Sequence, residues 1–124
     1  MNERTKTLNW GTTMNTGFTT ENVNLEGTSL QGYITCSYDT LCEVFGQPEG
    51  GDGHKTQAEW AVKTDDGTVF AIYDGKQHQP VYDITEWNIG GKTTQAVEAL
   101  HTIVNAALDE RAKYAVRIET LRHF

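Results

Sequence analysis

Hydrophobic positions in this chain change their period along its length, and the changes mark out the elements. Leu30 to Ser37 mixes β-branched and aromatic residues and predicts a strand. Ser37 or Asp39 then suits the N-cap of a short helix in which Leu41, Val44 and Phe45 share one face. Gly46 and Pro48 end it. Gln57 to Thr64 and Thr68 to Tyr73 read as a hairpin around Asp65-Asp66-Gly67, a tip whose glycine suits a positive φ. Val81 to Ile89 reads as a further strand with Trp87 and Ile89 on one face and Pro80 at its start. Gly90-Gly91 is expected to end that strand.

The period then becomes helical. A helix is expected to begin near Thr93 or Thr94, with Val97, Leu100, Val104 and Leu108 on one stripe. A weaker continuation runs through Tyr114, Ala115, Ile118 and Leu121. One unbroken helix would reach about 45 Å at 1.5 Å per residue. The pattern therefore predicts either a break near Asp109–Lys113 or a distal half packed on another subunit. The fold class expected is α+β: an antiparallel sheet of about four or five strands, one short helix, and one long C-terminal helix packed on one face. The organisation expected is an N-terminal arm over 1–27 rich in Thr and Asn, an α+β core over 28–110, and a basic helical extension over 111–124. The arm is expected to lie over the domain, with a short strand near Thr16–Thr20.

Composition narrows the class. With 124 residues, 37% of them hydrophobic, the chain suits one domain with a modest core. Met1 to Leu8 lacks the apolar stretch of a secretory signal, and nothing approaches a membrane span, so a cytoplasmic location is expected. Cys36 and Cys42 are expected to be reduced, buried thiols. The net charge of −7 is uneven: six Lys or Arg face sixteen Asp or Glu over residues 1–110, and four face one over 111–124. An acidic body argues against direct nucleic-acid binding. The basic end, Arg111, Lys113, Arg117 and Arg122, suits an acidic partner or the negative end of a helix.

Candidate chemistry is sparse. Gly90-Gly91-Lys92-Thr93-Thr94 looks like the end of a phosphate-binding loop, but Glu86 stands where that motif needs its first glycine. What remains is a glycine turn with a Thr cap, or an anion site made of helix N–H groups and Lys92. His54, His78, His101 and His123 lack metal-ligand spacing, so no metal or cofactor is expected. No nucleophile elbow or Cys/His dyad is present, and a non-enzyme is expected; an enzyme would need Asp74, His78 and Glu86 to converge. The strand aromatics Trp60, Phe70, Tyr73 and Trp87 are expected to be mostly core, although Phe70 and Tyr73 point to opposite faces. One left outside it, near Lys55, Lys76 or Lys92, would suit ring stacking or a protein interface. The candidate binding residues are therefore Lys55, Trp60, Tyr73, Lys76, Trp87, Gly90, Gly91, Lys92, Thr93, Arg111 and Arg117.

An ordered series runs through the chain: Gly27-Thr28-Ser29-Leu30-Gln31-Gly32-Tyr33-Ile34, Tyr38 with Leu41, Phe45-Gly46-Gln47-Pro48, Lys55-Thr56 with Glu59-Trp60, Asp66-Gly67-Thr68-Val69, Ile72-Tyr73-Asp74 with Lys76, and Trp87-Asn88-Ile89-Gly90-Gly91. Over roughly residues 27–105 it resembles a group of short bacteriophage-encoded proteins. The signature implies no reaction. By analogy it suggests an anti-defence role in the host bacterial cytoplasm. One form is capture of a host or defence protein, as anti-CRISPR proteins do. The alternative is a sponge for a nucleotide second messenger, like those that counter Thoeris and CBASS. A homo-oligomer is expected in either case.

Overall fold

The computed structural model describes residues 17–50, 57–75 and 78–121. The strands are β1 (Phe18–Thr19), β2 (Ser29–Thr35), β3 (Glu59–Thr64), β4 (Val69–Tyr73), β5 (Glu86–Gly91) and β6 (Arg117–Thr120). Between them lie α1 (Tyr38–Phe45), a 3-10 turn (Val81–Asp83), α2 (Gln95–Ala107) and the single-turn α3 (Glu110–Lys113). The class is α+β, and the strands form one antiparallel sheet in the order β1-β3-β4-β5-β2-β6. Among the described residues no helix is long and apolar enough to cross a membrane.

The hairpin forms around its expected tip. Gly67 adopts φ 93° and donates its N–H to the Thr64 carbonyl at 2.9 Å. The Asp66 carboxylate accepts from the Thr68 N–H and the Thr64 hydroxyl, which holds its pKa below the usual carboxylate range. The short helix also forms as its pattern indicates. Ser37 caps α1 by accepting from the Thr40 N–H at 3.1 Å, and Gly46 ends it by donating to the Cys42 carbonyl.

The core fills one side of the sheet. Trp60, Val62, Phe70, Ile72, Ile89, Trp87 and Ile34 point there, against α1 and against Ala96, Val97, Leu100, Ile103 and Val104 of α2. Trp60 and Trp87 meet edge to face, with ring centroids 5.3 Å apart. Each indole N–H also reaches the backbone beside α1: Trp60 donates to the Gly46 carbonyl at 2.8 Å, and Trp87 to the Cys36 carbonyl at 3.0 Å. The two tryptophans thus pin both ends of α1 to the sheet.

Three expectations need correction. The sheet has six strands rather than four or five: Phe18–Thr19 is the short strand expected near Thr16–Thr20, and Arg117–Thr120 adds a strand at the other edge where a helix was expected. Val81–Asp83 is a 3-10 turn and not the start of a strand. Pro80 accepts from the Asp83 N–H, and the three-residue spacing of Val81 and Ile84 lets both face the core. The C-terminal helix is not one long element; of the two alternatives, it breaks near Asp109–Lys113. It ends at Ala107, Leu108 turns extended, and Asp109 caps α3 by accepting from the Ala112 N–H at 2.8 Å. Val116 to Thr120 then alternates with a period of two, so Arg117 and Ile118 lie in a strand against β2, while Tyr114 is 92% exposed. Cys36 is buried and Cys42 half-buried, and neither is in a disulfide.

Candidate binding face

Gly90 and Gly91 end β5 as expected, but as its last two paired residues and not as a loop. A Cβ on Gly91 would overlap the Cβ of Ala96, so Gly91 faces α2. A Cβ on Gly90 would lie 3.3 Å from Cε1 of Tyr73, so Gly90 faces the other side. That second face is the candidate site. Among the described residues both longer helices pack on the opposite side, where Trp60, Trp87 and Gly91 point.

Register assembles the site from five strands. Glu119 of β6 lies opposite Tyr33 of β2, Tyr33 opposite Asn88 of β5, Asn88 opposite Tyr73 of β4, and Tyr73 opposite Glu59 of β3. Cross-strand partners share a face, so the five side chains form one transverse row with a tyrosine on each side of Asn88 and a carboxylate at each end. Tyr33 is 40% exposed and Tyr73 half-buried. Burial raises the Tyr73 pKa, and Glu59 and then Tyr33 add to the shift. The phenol therefore stays protonated and can donate. Beside the row lies a groove of about 500 Å³ lined by Tyr33, Thr35, Gly75, Glu86, Asn88 and Glu119, among others. Among the described residues its lining carries two carboxylates, Glu86 and Glu119, and no Lys or Arg, which suits a cationic or hydrogen-bonding partner.

A second, smaller depression of about 330 Å³ lies between the hairpin tip and the start of α2, lined by Asp66, Gly67, Thr68, Val69, Lys92, Thr93, Gln95 and Ala96. Lys92 and Thr93 are there as the anion reading requires. The neighbouring N–H groups are largely spoken for: Gln95 donates to the Thr93 hydroxyl, Ala96 to the Thr93 carbonyl, and Val97 to the Thr94 carbonyl. The Asp66 carboxylate on the opposite wall opposes an anion.

Of the remaining sequence candidates, Trp60 and Trp87 are core, and their substitution acts on the fold first. Arg111 is exposed on α3 and Arg117 on β6. Lys55 and Lys76 lie outside the described residues, as do His54 and His123. The Asp74, His78 and Glu86 set does not share the groove: Glu86 lines it, and Asp74 and His78 do not. Asp74 is fully buried, and its Oδ1 accepts from the Gln57 and Ala58 N–H groups at 2.7 and 2.9 Å, tying β4's end to β3's start. His78 is exposed. Among the described residues, no group of three His, Cys, Asp or Glu is placed to hold a metal ion.

Sequence reasoning missed Tyr33, Asn88 and Glu119 as site residues. The signal was available for Tyr33, since alternation with the core residue Ile34 sends it to the far face. Comparison with protein-family models, curated proteins and solved structures returns no match.

Proposed function

We propose that this chain is a non-enzymatic binding protein that captures a host or defence protein through the open face of its sheet. The observation that carries the reading is the row Glu59–Tyr73–Asn88–Tyr33–Glu119, with Glu86 beside it. Tyrosine supplies large contact area at little entropic cost and is enriched in protein interfaces. Carboxylates around it favour a partner whose contact surface is basic, and a guanidinium can stack on a tyrosine ring while meeting a carboxylate. A nucleic-acid-binding surface of a defence protein has that character. The bacteriophage resemblance and the net charge of −7 support the same reading, and it implies action in the host bacterial cytoplasm.

The test is affinity capture from host lysate with the whole chain, set beside Tyr33→Ala and the charge reversal Glu119→Lys. A stoichiometric partner that both substitutions release supports the reading. A partner retained by both, or none captured by the parent chain, sinks it.

A second reading, a sponge for a nucleotide second messenger, draws on the depression holding Lys92 and Thr93. Asp66 on its wall makes it the weaker of the two. Thermal-shift measurements against cyclic nucleotides decide it, because a ligand bound only by the folded state raises apparent stability.

A further inference from the structure

The two edges of the sheet differ. One is β1, only two residues long, too short to template another strand. The other is β6, four residues long, paired with β2 along its inner side. Leu121 donates its N–H to the Gln31 carbonyl at 2.7 Å. Backbone direction alternates along a strand, so Arg117 and Glu119 also bond inward while the N–H and C=O of Ile118 and Thr120 point outward. Among the described residues these outward groups have no strand beside them, and no ion pair engages Arg117 or Glu119.

From this edge we infer that two copies of the chain pair antiparallel through β6, centred on Ile118, into one continuous sheet. Two constraints select that register. Outward-pointing residues must face each other across the new ladder, which allows Ile118 opposite Ile118 of the second copy. Every other self-pairing that keeps this alternation shifts the sum of the paired residue numbers by two or more. The nearest such shift, towards the C-terminus, sets Glu119 against Glu119, and the nearest towards the N-terminus sets Arg117 against Arg117. Only the Ile118-centred register places Arg117 of each copy directly opposite Glu119 of the other, twice by symmetry. These are non-hydrogen-bonded pairs, where side chains approach most closely. Charged residues on an edge strand commonly serve to prevent such pairing. Here both signs lie on one face two residues apart, a self-complementary arrangement, so the edge matches itself.

The pairing also bears on the groove. Glu119 lines its end, so the second copy's Arg117 closes that end, and the tyrosine rows of the two copies lie on the same face of a joined sheet.

Sedimentation velocity on the whole chain is expected to show a concentration-dependent dimer. Arg117→Glu alone and Glu119→Arg alone each raise the dimer dissociation constant by roughly tenfold, and the double exchange restores it. Ile118→Pro removes an outward N–H without touching the β2 ladder, and is expected to give a folded monomer by circular dichroism. Register is read by oxidative cross-linking: a mixture of Arg117→Cys and Glu119→Cys forms a disulfide-linked dimer that neither variant forms alone. The inference is overturned by a parent chain that stays monomeric at the highest soluble concentration. A dimer indifferent to Ile118→Pro and to charge exchange overturns it too, as does equal cross-linking of either cysteine variant by itself.

Discussion

Tyr73 covers Gly90: Cε1 of the ring stands 3.3 Å from where a Cβ on that glycine would begin, one strand away on the open face. The next residue, Gly91, turns to the opposite face and admits Ala96 of α2. Two consecutive glycines thus serve two different layers. One lets a helix approach the sheet, and the other lets a tyrosine lie across it.

The glycine pair should respond unequally to substitution. Gly91→Ala forces α2 away from the sheet and is expected to cost about 1–3 kcal/mol, the usual range for overpacking. Gly90→Ala meets only the edge of one ring, which can shift by a few tenths of an ångström, and should cost less. Urea denaturation of the two variants measures the difference, and equal losses would contradict the assignment of faces.

Aromatic substitutions should separate fold from binding. Tyr33→Ala removes an exposed side chain and is expected to leave stability within about 1 kcal/mol while abolishing partner capture. Trp87→Ala opens a cavity beside Trp60 and strips the Cys36 carbonyl of its donor, at an expected cost of about 3–5 kcal/mol. Thermal melts beside capture assays show whether the two effects divide in this way.

Asp74 should matter through the backbone it holds. Asp74→Ala leaves the Gln57 and Ala58 N–H groups without their acceptor and is expected to destabilise by about 1–3 kcal/mol. Asp74→Asn keeps an acceptor oxygen and should lose less. Hydrogen exchange at those two amides, faster in the alanine variant, locates the effect.

Burial pushes the Cys36 thiol up from 9.0 to about 12. The folded chain therefore keeps a proton that the unfolded chain releases. This contribution to stability is fully present below about pH 9 and is lost as pH rises towards 12. Denaturant midpoints measured across that range should fall more steeply for the parent chain than for Cys36→Ala. Parallel slopes would exclude the thiol as the cause.

Local pattern carried much of the fold. The Leu41, Val44, Phe45 stripe, the Ser37 cap and Gly46 stop define α1, and Asp65–Gly67 defines the hairpin, because those signals lie within a few residues of what they specify. The C-terminal region misled for the same reason. Ile118 and Leu121 extend a helical spacing on paper, but Asp109 begins a new cap, and the alternating Val116–Thr120 segment gains backbone partners from β2 that no local pattern reveals. The site was less legible than the fold. Tyr73 was found, whereas Glu119 and Tyr33 lie far apart in the chain and become neighbours only through register.

The amino-acid sequence by itself determined the α+β class, the short capped helix, the central hairpin and the acidic balance, since these follow from propensity, turn chemistry and charge. Tertiary structure decided the strand order, the β6 edge, the burial of both candidate tryptophans and the row of tyrosines on the open face. The physical reason is the two-residue period of a strand. It tells which residues share a face, but only pairing with a distant strand decides which face meets the helices and which carries the tyrosine row.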